Sequence, residues 1–99
     1  MSTNAQESTK QIYIRVSGRV QGVFFRVSAQ RKGRELGLRG FVRNLENGGV
    51  EVVAQGPQKD VETLLTWCRQ GPEHAQVRNL ESRWQAVDES LPNDFEVRL

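Results

Sequence analysis

A stretch near the N-terminus, residues 18–26, contains the residues whose types and spacing could do chemistry. It lies between a strand pattern and a helical pattern, and its two glycines permit a tight turn there. The first N–H groups of a helix have no helical acceptor and, together with the helix dipole, favour an anion. Arg26 adds a planar charge that can bind two oxygens of a phosphate or carboxylate. A purely structural turn would explain the glycines equally well. The residues of this candidate anion loop are, in order, Gly18, Arg19, Val20, Gln21, Gly22, Val23, Phe24, Phe25 and Arg26.

Three further side chains are candidates for chemistry outside this loop. Asn44 ends a second strand pattern, and its neutral amide could hold a water for attack or merely cap the following turn. His74, the only histidine, falls in a Pro-Glu-His loop and is more typical of an inert surface residue. Cys68 lies on the apolar stripe of a helix, which favours a core residue over a nucleophile.

The spacing of the potential ligands argues against several other chemistries. No cluster of histidine, cysteine and carboxylate residues has metal-ligand spacing, and the loop lacks the Gly-Lys-Ser/Thr ending of a nucleotide-binding loop. We therefore expect neither a metal nor a cofactor, and chemistry that rests on positioning a phosphate.

Length and composition indicate one small globular domain. The 99 residues are 36% hydrophobic and 26% charged, with no apolar run long enough for a membrane span. A net charge of +2 favours anionic ligands slightly without indicating nucleic acid. With one cysteine and no secretory signal, we expect a cytoplasmic protein, and a monomer by default. Residues 1–10 read as a flexible tail and residues 11–99 as the domain.

The apolar periodicity predicts five strands and two helices in the order β-α-β-β-α-β-β. An Asn-Gly pair predicts a hairpin turn over residues 45–49, and the fourth strand is expected to point Leu80, Trp84 and Ala86 inward. The strands are predicted at 12–16, 38–45, 50–55, 77–87 and 95–99, and the helices at 25–36 and from Gly56-Pro57 to Gly71.

This order predicts an α+β, ferredoxin-like split βαβ sandwich, with two helices on one face of a five-stranded sheet. The helical crossover makes the first two strands parallel, with the third strand between them. The anion loop should then lie beside Asn44, and the loop that contains His74 could border the same site.

Two motifs in the sequence resemble those of the acylphosphatase family. Residues 18–26 match the signature G-x-V-Q-G-V-x-F-R, and Gly40-Phe41-Val42-Arg43-Asn44 matches a second one. Gly48, Val50 and Gly56 follow at the family's spacing, and the similarity covers residues 12–99.

The resemblance implies metal-free hydrolysis of small-molecule acyl phosphates to a carboxylate and inorganic phosphate. It implies that the anion loop binds the phosphoryl group, that Arg26 is the catalytic arginine, and that Asn44 positions the attacking water. The phosphate of the substrate would accept the proton of that water, and inorganic phosphate would be both product and inhibitor. The resemblance also implies the sheet order 4-1-3-2-5.

Three smaller expectations concern packing near the site. Phe41 replaces a tryptophan frequent in the family and is expected to remain an aromatic core residue. Gly33 replaces a common alanine and is expected either to lower stability, because glycine weakens helices, or to allow close packing of the helix on the sheet. The last strand should run parallel to the second, which would bring the Leu99 carboxylate towards Arg26.

Two other classes of function fit the same topology. A ligand-sensing module could bind the anion without catalysis, although Arg26 together with Asn44 favours an enzyme. An RNA-binding domain needs exposed aromatic residues on its central strands, and the third predicted strand, residues 50–55, contains none.

Overall fold

The computed structural model describes residues 8–99, which form five strands and two helices. No helix within these residues is long and apolar enough to cross a membrane. In chain order the elements are β1 (Thr9–Arg19), α1 (Phe25–Glu35), β2 (Arg39–Asn44), β3 (Val50–Pro57), α2 (Gln58–Gln70), β4 (Gln76–Gln85) and β5 (Phe95–Arg98).

The five strands form one sheet in the order β4-β1-β3-β2-β5. β2 and β5 run parallel, whereas the other neighbours are antiparallel. Alternate residues of β1 and β3, among them Ile12, Ile14 and Val52, are fully buried beneath the two helices. This confirms the ferredoxin-like α+β fold and the sheet order. β1 and β2 are parallel and lie on either side of β3. The loop after β1 and the last residues of β2 are therefore at the same end of the sheet.

The N-terminal strand is longer than the sequence pattern predicts. Thr9 and Lys10, assigned to the tail, pair with β3, while residues 1–7 of that expected tail lie outside the described residues. At the other end of the strand, Gly18 and Arg19 belong to β1 and not to the loop. They pair with β4 after a register shift. The φ of Gly18, 119°, permits this, and a Cβ there would lie 2.3 Å from the Gln76 carbonyl oxygen.

Three of the expected core residues are not in the core. Trp84 pairs with Ile12 on the core face, but it is 47% exposed because β4 is an edge strand, with no strand on its outer side among residues 8–99. Ala86 lies beyond the end of β4 and is exposed. Phe41 alternates with the buried Val42 and is therefore half-buried on the opposite face, where the guanidinium of Arg98 stacks 3.9 Å from its ring centroid.

The segment between β4 and β5 is held by one arginine of β2. Arg39 donates to the carbonyl oxygens of Glu89, Leu91 and Pro92, the last at 3.1 Å, and to the side chain of Gln55 at 3.1 Å. These bonds fix the crossing chain at the far end of the sheet. β5 then pairs with β2 and runs back to the end of the sheet where the anion loop lies.

Replacing Gly33 with alanine should destabilise the protein, contrary to the expectation from helix propensity. The higher helix propensity of alanine would by itself stabilise α1 by about 1 kcal/mol. An ideal Cβ at Gly33, however, would lie 2.6 Å from the ring of Phe95, which is fully buried. Overpacking of this kind costs about 1–3 kcal/mol, so we expect Tm to fall by a few degrees. Thermal unfolding of Gly33→Ala, with Ser28→Ala on the same helix as a control, checks this, and a raised Tm for Gly33→Ala would contradict it.

Candidate active site

The loop between β1 and α1, residues 20–24, is held in place by contacts of its first two residues. Val20 is fully buried, and Gly22 takes a φ of 73°. Gln21 donates from Nε2 to the carbonyl oxygens of Leu45 and Gly49, each at 2.8 Å. These two bonds attach the loop to the hairpin that follows β2, so they set the distance between the loop and Asn44.

Phe24 connects this loop to α1 in an unusual conformation. Its φ of 65° and ψ of 23° place it in the left-handed region, and it occupies the N-cap position without a capping side chain. A non-glycine residue in this region costs about 1–2 kcal/mol. Its side chain is nevertheless 75% exposed.

The backbone N–H groups of residues 21–27 donate to no backbone carbonyl within the described chain, residues 8–99. The first helical bond of this region runs from the Ser28 amide to the Phe24 carbonyl, at 3.0 Å. No acidic residue lies in the first turn of α1. The helix N-terminus therefore keeps the N–H groups and the positive dipole that an anion requires.

Arg26 is fixed from the side by the last strand. Its Nη1 donates to the backbone carbonyl oxygen of Arg98 at 3.0 Å, and it forms no ion pair among residues 8–99. The last strand therefore does reach Arg26, as expected, but through a carbonyl of β5. Leu99, whose carboxylate was expected to make the contact, is fully exposed. Arg43, by contrast, is paired with Glu51 at 2.5 Å.

Asn44 stands at the end of β2, and it is not the residue that caps the hairpin. That turn is closed by the Leu45 amide donating to the Gly49 carbonyl at 2.8 Å. The Gly49 amide in turn donates to Asn47 Oδ1 at 2.9 Å. The side chain of Asn44 forms no hydrogen bond with another described residue. Asn47, and not Asn44, therefore caps the hairpin turn. The side-chain amide of Asn44 is available to a ligand.

One cavity of about 460 Å³ brings Arg26 and Asn44 together. Of the predicted loop, Gly18, Arg19, Gln21 and Val23 do not line it, and Gln21 instead bonds to the hairpin. The residues that line the cavity are Val20, Gly22, Phe24, Phe25, Arg26, Val27, Gln30, Asn44 and Val97.

Three of the lining residues were not expected from the sequence: Val27, Gln30 and Val97. Helical spacing could have identified Val27 and Gln30, because they lie one residue and one turn after Arg26. Val97 comes from β5, and only the pairing of β5 with β2 brings it to the cavity.

The remaining two candidates lie away from this cavity. His74 is exposed in the turn between α2 and β4 and does not line the cavity, so the expectation that its loop borders the site is wrong. Cys68 is fully buried in the core, as expected, and burial raises the pKa of its thiol to about 12. A thiol in that environment is protonated at neutral pH and is a poor nucleophile.

Comparisons with known proteins, in sequence and in structure, point to one family. The family model described as Acylphosphatase matches residues 12–97. An acylphosphatase of Methylococcus capsulatus is 54% identical over 78 residues, which cover 79% of this chain and 85% of that protein. The structure of an acylphosphatase from Coxiella burnetii has a TM-score of 0.87 at 40% identity, covering 98% of this chain and 100% of the other. That of Bacillus subtilis has a TM-score of 0.85 at 29% identity, covering 91% and 99%. Matches over nearly the whole domain, in sequence and in structure, place the chain in the acylphosphatase family.

Proposed function

We propose that this enzyme hydrolyses the carboxyl-phosphate bond of acyl phosphates by in-line attack of a positioned water on phosphorus, without a metal ion. The observation that carries the proposal is that Arg26 and Asn44, from two separate segments, line the same cavity at the N-terminus of α1. The products would be a carboxylate and inorganic phosphate.

The phosphoryl group would be bound by the loop and by Arg26. The unpaired N–H groups of residues 21–27 and the guanidinium supply positive charge around the phosphoryl oxygens. The bond from Arg26 to the Arg98 carbonyl uses one N–H and holds the side chain in place before substrate arrives. Such preorganised donors favour the transition state because they need little reorganisation during reaction.

Asn44 would position the water. Its side-chain amide can accept a hydrogen bond from the water and donate another at the same time. No other described residue forms a hydrogen bond with it. Among residues 8–99, no carboxylate or histidine lines the cavity. We therefore assign the proton of the attacking water to a phosphate oxygen of the substrate, as the family resemblance implies. An acyl phosphate has a good leaving group, so placing the water is the demanding part of the reaction.

Several accompanying properties belong to the same proposal. The partner is a small-molecule acyl phosphate, and inorganic phosphate acts as product and competitive inhibitor because it binds the same loop. We also propose a cytoplasmic monomer that needs no cofactor.

Hydrolysis of acetyl phosphate should survive thorough removal of metal ions. Arg26 and the loop N–H groups already supply the charge that a divalent ion would contribute at the phosphoryl oxygens. The measurement is the initial rate of acetyl phosphate consumption before and after dialysis against a chelator. Loss of activity that a divalent ion restores would contradict the metal-free mechanism. Failure to hydrolyse acetyl phosphate with or without metal would instead count against the activity itself.

A further inference from the structure

The face of the sheet that the helices do not cover carries a row of charges of alternating sign. The strand pairing places four residues side by side in this row, one from each strand: Arg43 of β2, Glu51 of β3, Arg15 of β1 and Glu81 of β4. Arg43 forms an ion pair with Glu51, and Arg15 forms one with Glu81. The Glu81 side chain is 57% exposed, whereas that of Glu51 is 11% exposed. Glu51 is thus a carboxylate withdrawn from water, and Glu81 is an ordinary surface carboxylate of the same row.

Both carboxylate oxygens of Glu51 accept a hydrogen bond. Oε1 accepts from Arg43 Nε at 2.5 Å, and Oε2 accepts from the Tyr13 hydroxyl at 2.9 Å. Burial and the nearby Glu51 carboxylate raise the pKa of Tyr13, so its hydroxyl keeps the proton and remains a donor at neutral pH. The guanidinium of Arg83 lies 4.6 Å from the centroid of the Tyr13 ring and contacts it from β4. Glu51 therefore connects β2 to β1 across β3 through two charge-assisted hydrogen bonds.

These contacts lie one residue before Asn44. Asn44 is the last residue of β2 and pairs with Val50, and its neighbour Arg43 pairs with Glu51. Because the side chain of Asn44 forms no hydrogen bond with residues 8–99, its placement depends on the backbone at the end of β2. A cavity of about 510 Å³ on the uncovered face is lined by Asn44 together with Tyr13, Arg43 and Glu51, among others. Loss of the contacts of Glu51 would therefore loosen β2 at the point where Asn44 lies.

We propose that Glu51 is a positioning residue for the hydrolysis. By holding Arg43 and Tyr13 it fixes the end of β2, and it thereby keeps the side-chain amide of Asn44 at one distance from the phosphoryl group. This inference rests on the proposed function, because it requires Asn44 to hold the attacking water. An ion pair whose carboxylate is withdrawn from water contributes little net stability, because desolvation offsets much of the attraction. Misplacing a reacting group by about 1 Å, however, can cost about a hundredfold in rate.

The test changes Glu51 and, as the matched control, the carboxylate at the far end of the same row. Glu51→Gln keeps the size of the side chain and removes its charge. Glu81→Gln makes the same change at an exposed residue of β4, three strands away from β2. Tyr13→Phe is a milder variant that removes only the hydroxyl bonded to Glu51. For each variant the measurements are kcat with acetyl phosphate, the inhibition constant of inorganic phosphate and Tm, with kcat measured well below the lowest Tm.

For Glu51→Gln we expect kcat to fall by about tenfold, because Asn44 is present but misplaced, while phosphate inhibition stays near wild type. Tyr13→Phe should lower kcat by about threefold with the same inhibition, and Glu81→Gln should change neither quantity. Wild-type kcat in Glu51→Gln would overturn the proposal even if Tm falls, because Glu51 would then act on stability only. An equal loss of kcat and of phosphate inhibition would also overturn it. The same criteria apply to Tyr13→Phe, which decides the question if Glu51→Gln does not fold.

A double-mutant cycle tests whether Glu51 acts through Asn44. In the Asn44→Ala background, Glu51→Gln should cause no further fall in kcat, because the side chain that Glu51 positions is absent. Losses that multiply when both substitutions are combined would contradict this route. A wild-type enzyme that does not hydrolyse acetyl phosphate would refute the proposed function itself, a result distinct from hydrolysis that does not depend on Glu51.

Discussion

Arg26→Ala should lose nearly all hydrolysis of acyl phosphates, by about a thousandfold or more in kcat/KM, as for other arginines that stabilise a transferring phosphoryl group. The reason is that Arg26 is the only arginine or lysine among the described residues that line the cavity, so none of the other lining residues replaces its charge. Arg26→Lys should also lose most activity, because lysine keeps the charge but not the planar pair of donors. Inhibition by inorganic phosphate should weaken in the same variants, since phosphate binds the same loop.

Arg31→Ala is the matched control for this experiment, because Arg31 lies on the same helix, is exposed and does not line the cavity. Its kcat/KM should match wild type. Turnover of Arg26→Ala close to wild type would mean that the backbone N–H groups suffice, and it would remove Arg26 from the mechanism.

Asn44→Ala should separate chemistry from binding. A positioned group that acts mainly in the transition state contributes about 3 kcal/mol, roughly a hundredfold in rate. We therefore expect kcat to fall by about two orders of magnitude, whereas inhibition by phosphate stays near wild type because the loop and Arg26 are intact. Tm should change little, since the side chain of Asn44 forms no hydrogen bond with the described residues.

Asn47→Ala supplies the opposite control from the same hairpin. It removes the bond from the Gly49 amide to Asn47 Oδ1, so it should lower stability by about 1 kcal/mol and leave kcat unchanged. The measurements on both variants are kcat, the inhibition constant of phosphate and Tm. If Asn44→Ala keeps its kcat and loses stability instead, the assignment of the water to Asn44 is wrong.

The sequence predicted the fold because its signals were local and mutually consistent. Alternation over residues 12–16 and 50–55, the Asn-Gly turn and the helix-ending Gly71-Pro72 each indicate one element, and a right-handed crossover leaves few ways to assemble them. The same local signals predict that the anion loop and Asn44 lie at one end of the sheet, and one cavity there contains both Arg26 and Asn44.

What the sequence did not predict depends on contacts between distant segments. Alternation assigns Trp84 to the core face but does not reveal that β4 is the edge strand of the sheet that residues 8–99 form. The sequence predicted that Gly33 could allow close packing on the sheet, but it did not identify Phe95 as the partner. The distinction between Asn44 and Asn47, and the carbonyl of Arg98 that holds Arg26, likewise follow from hydrogen bonds whose partners no spacing rule specifies.

The central claim, attack of water on phosphorus, is tested most directly by the destination of its oxygen. Benzoyl phosphate hydrolysed in water enriched in the heavy oxygen isotope gives benzoate and phosphate, and mass spectrometry of both products locates the new atom. Cleavage of the bond between phosphorus and the bridging oxygen, with water held by Asn44 and the phosphoryl group by Arg26, predicts the heavy isotope in phosphate alone. The heavy isotope in benzoate would show attack at the carbonyl carbon and would contradict the mechanism.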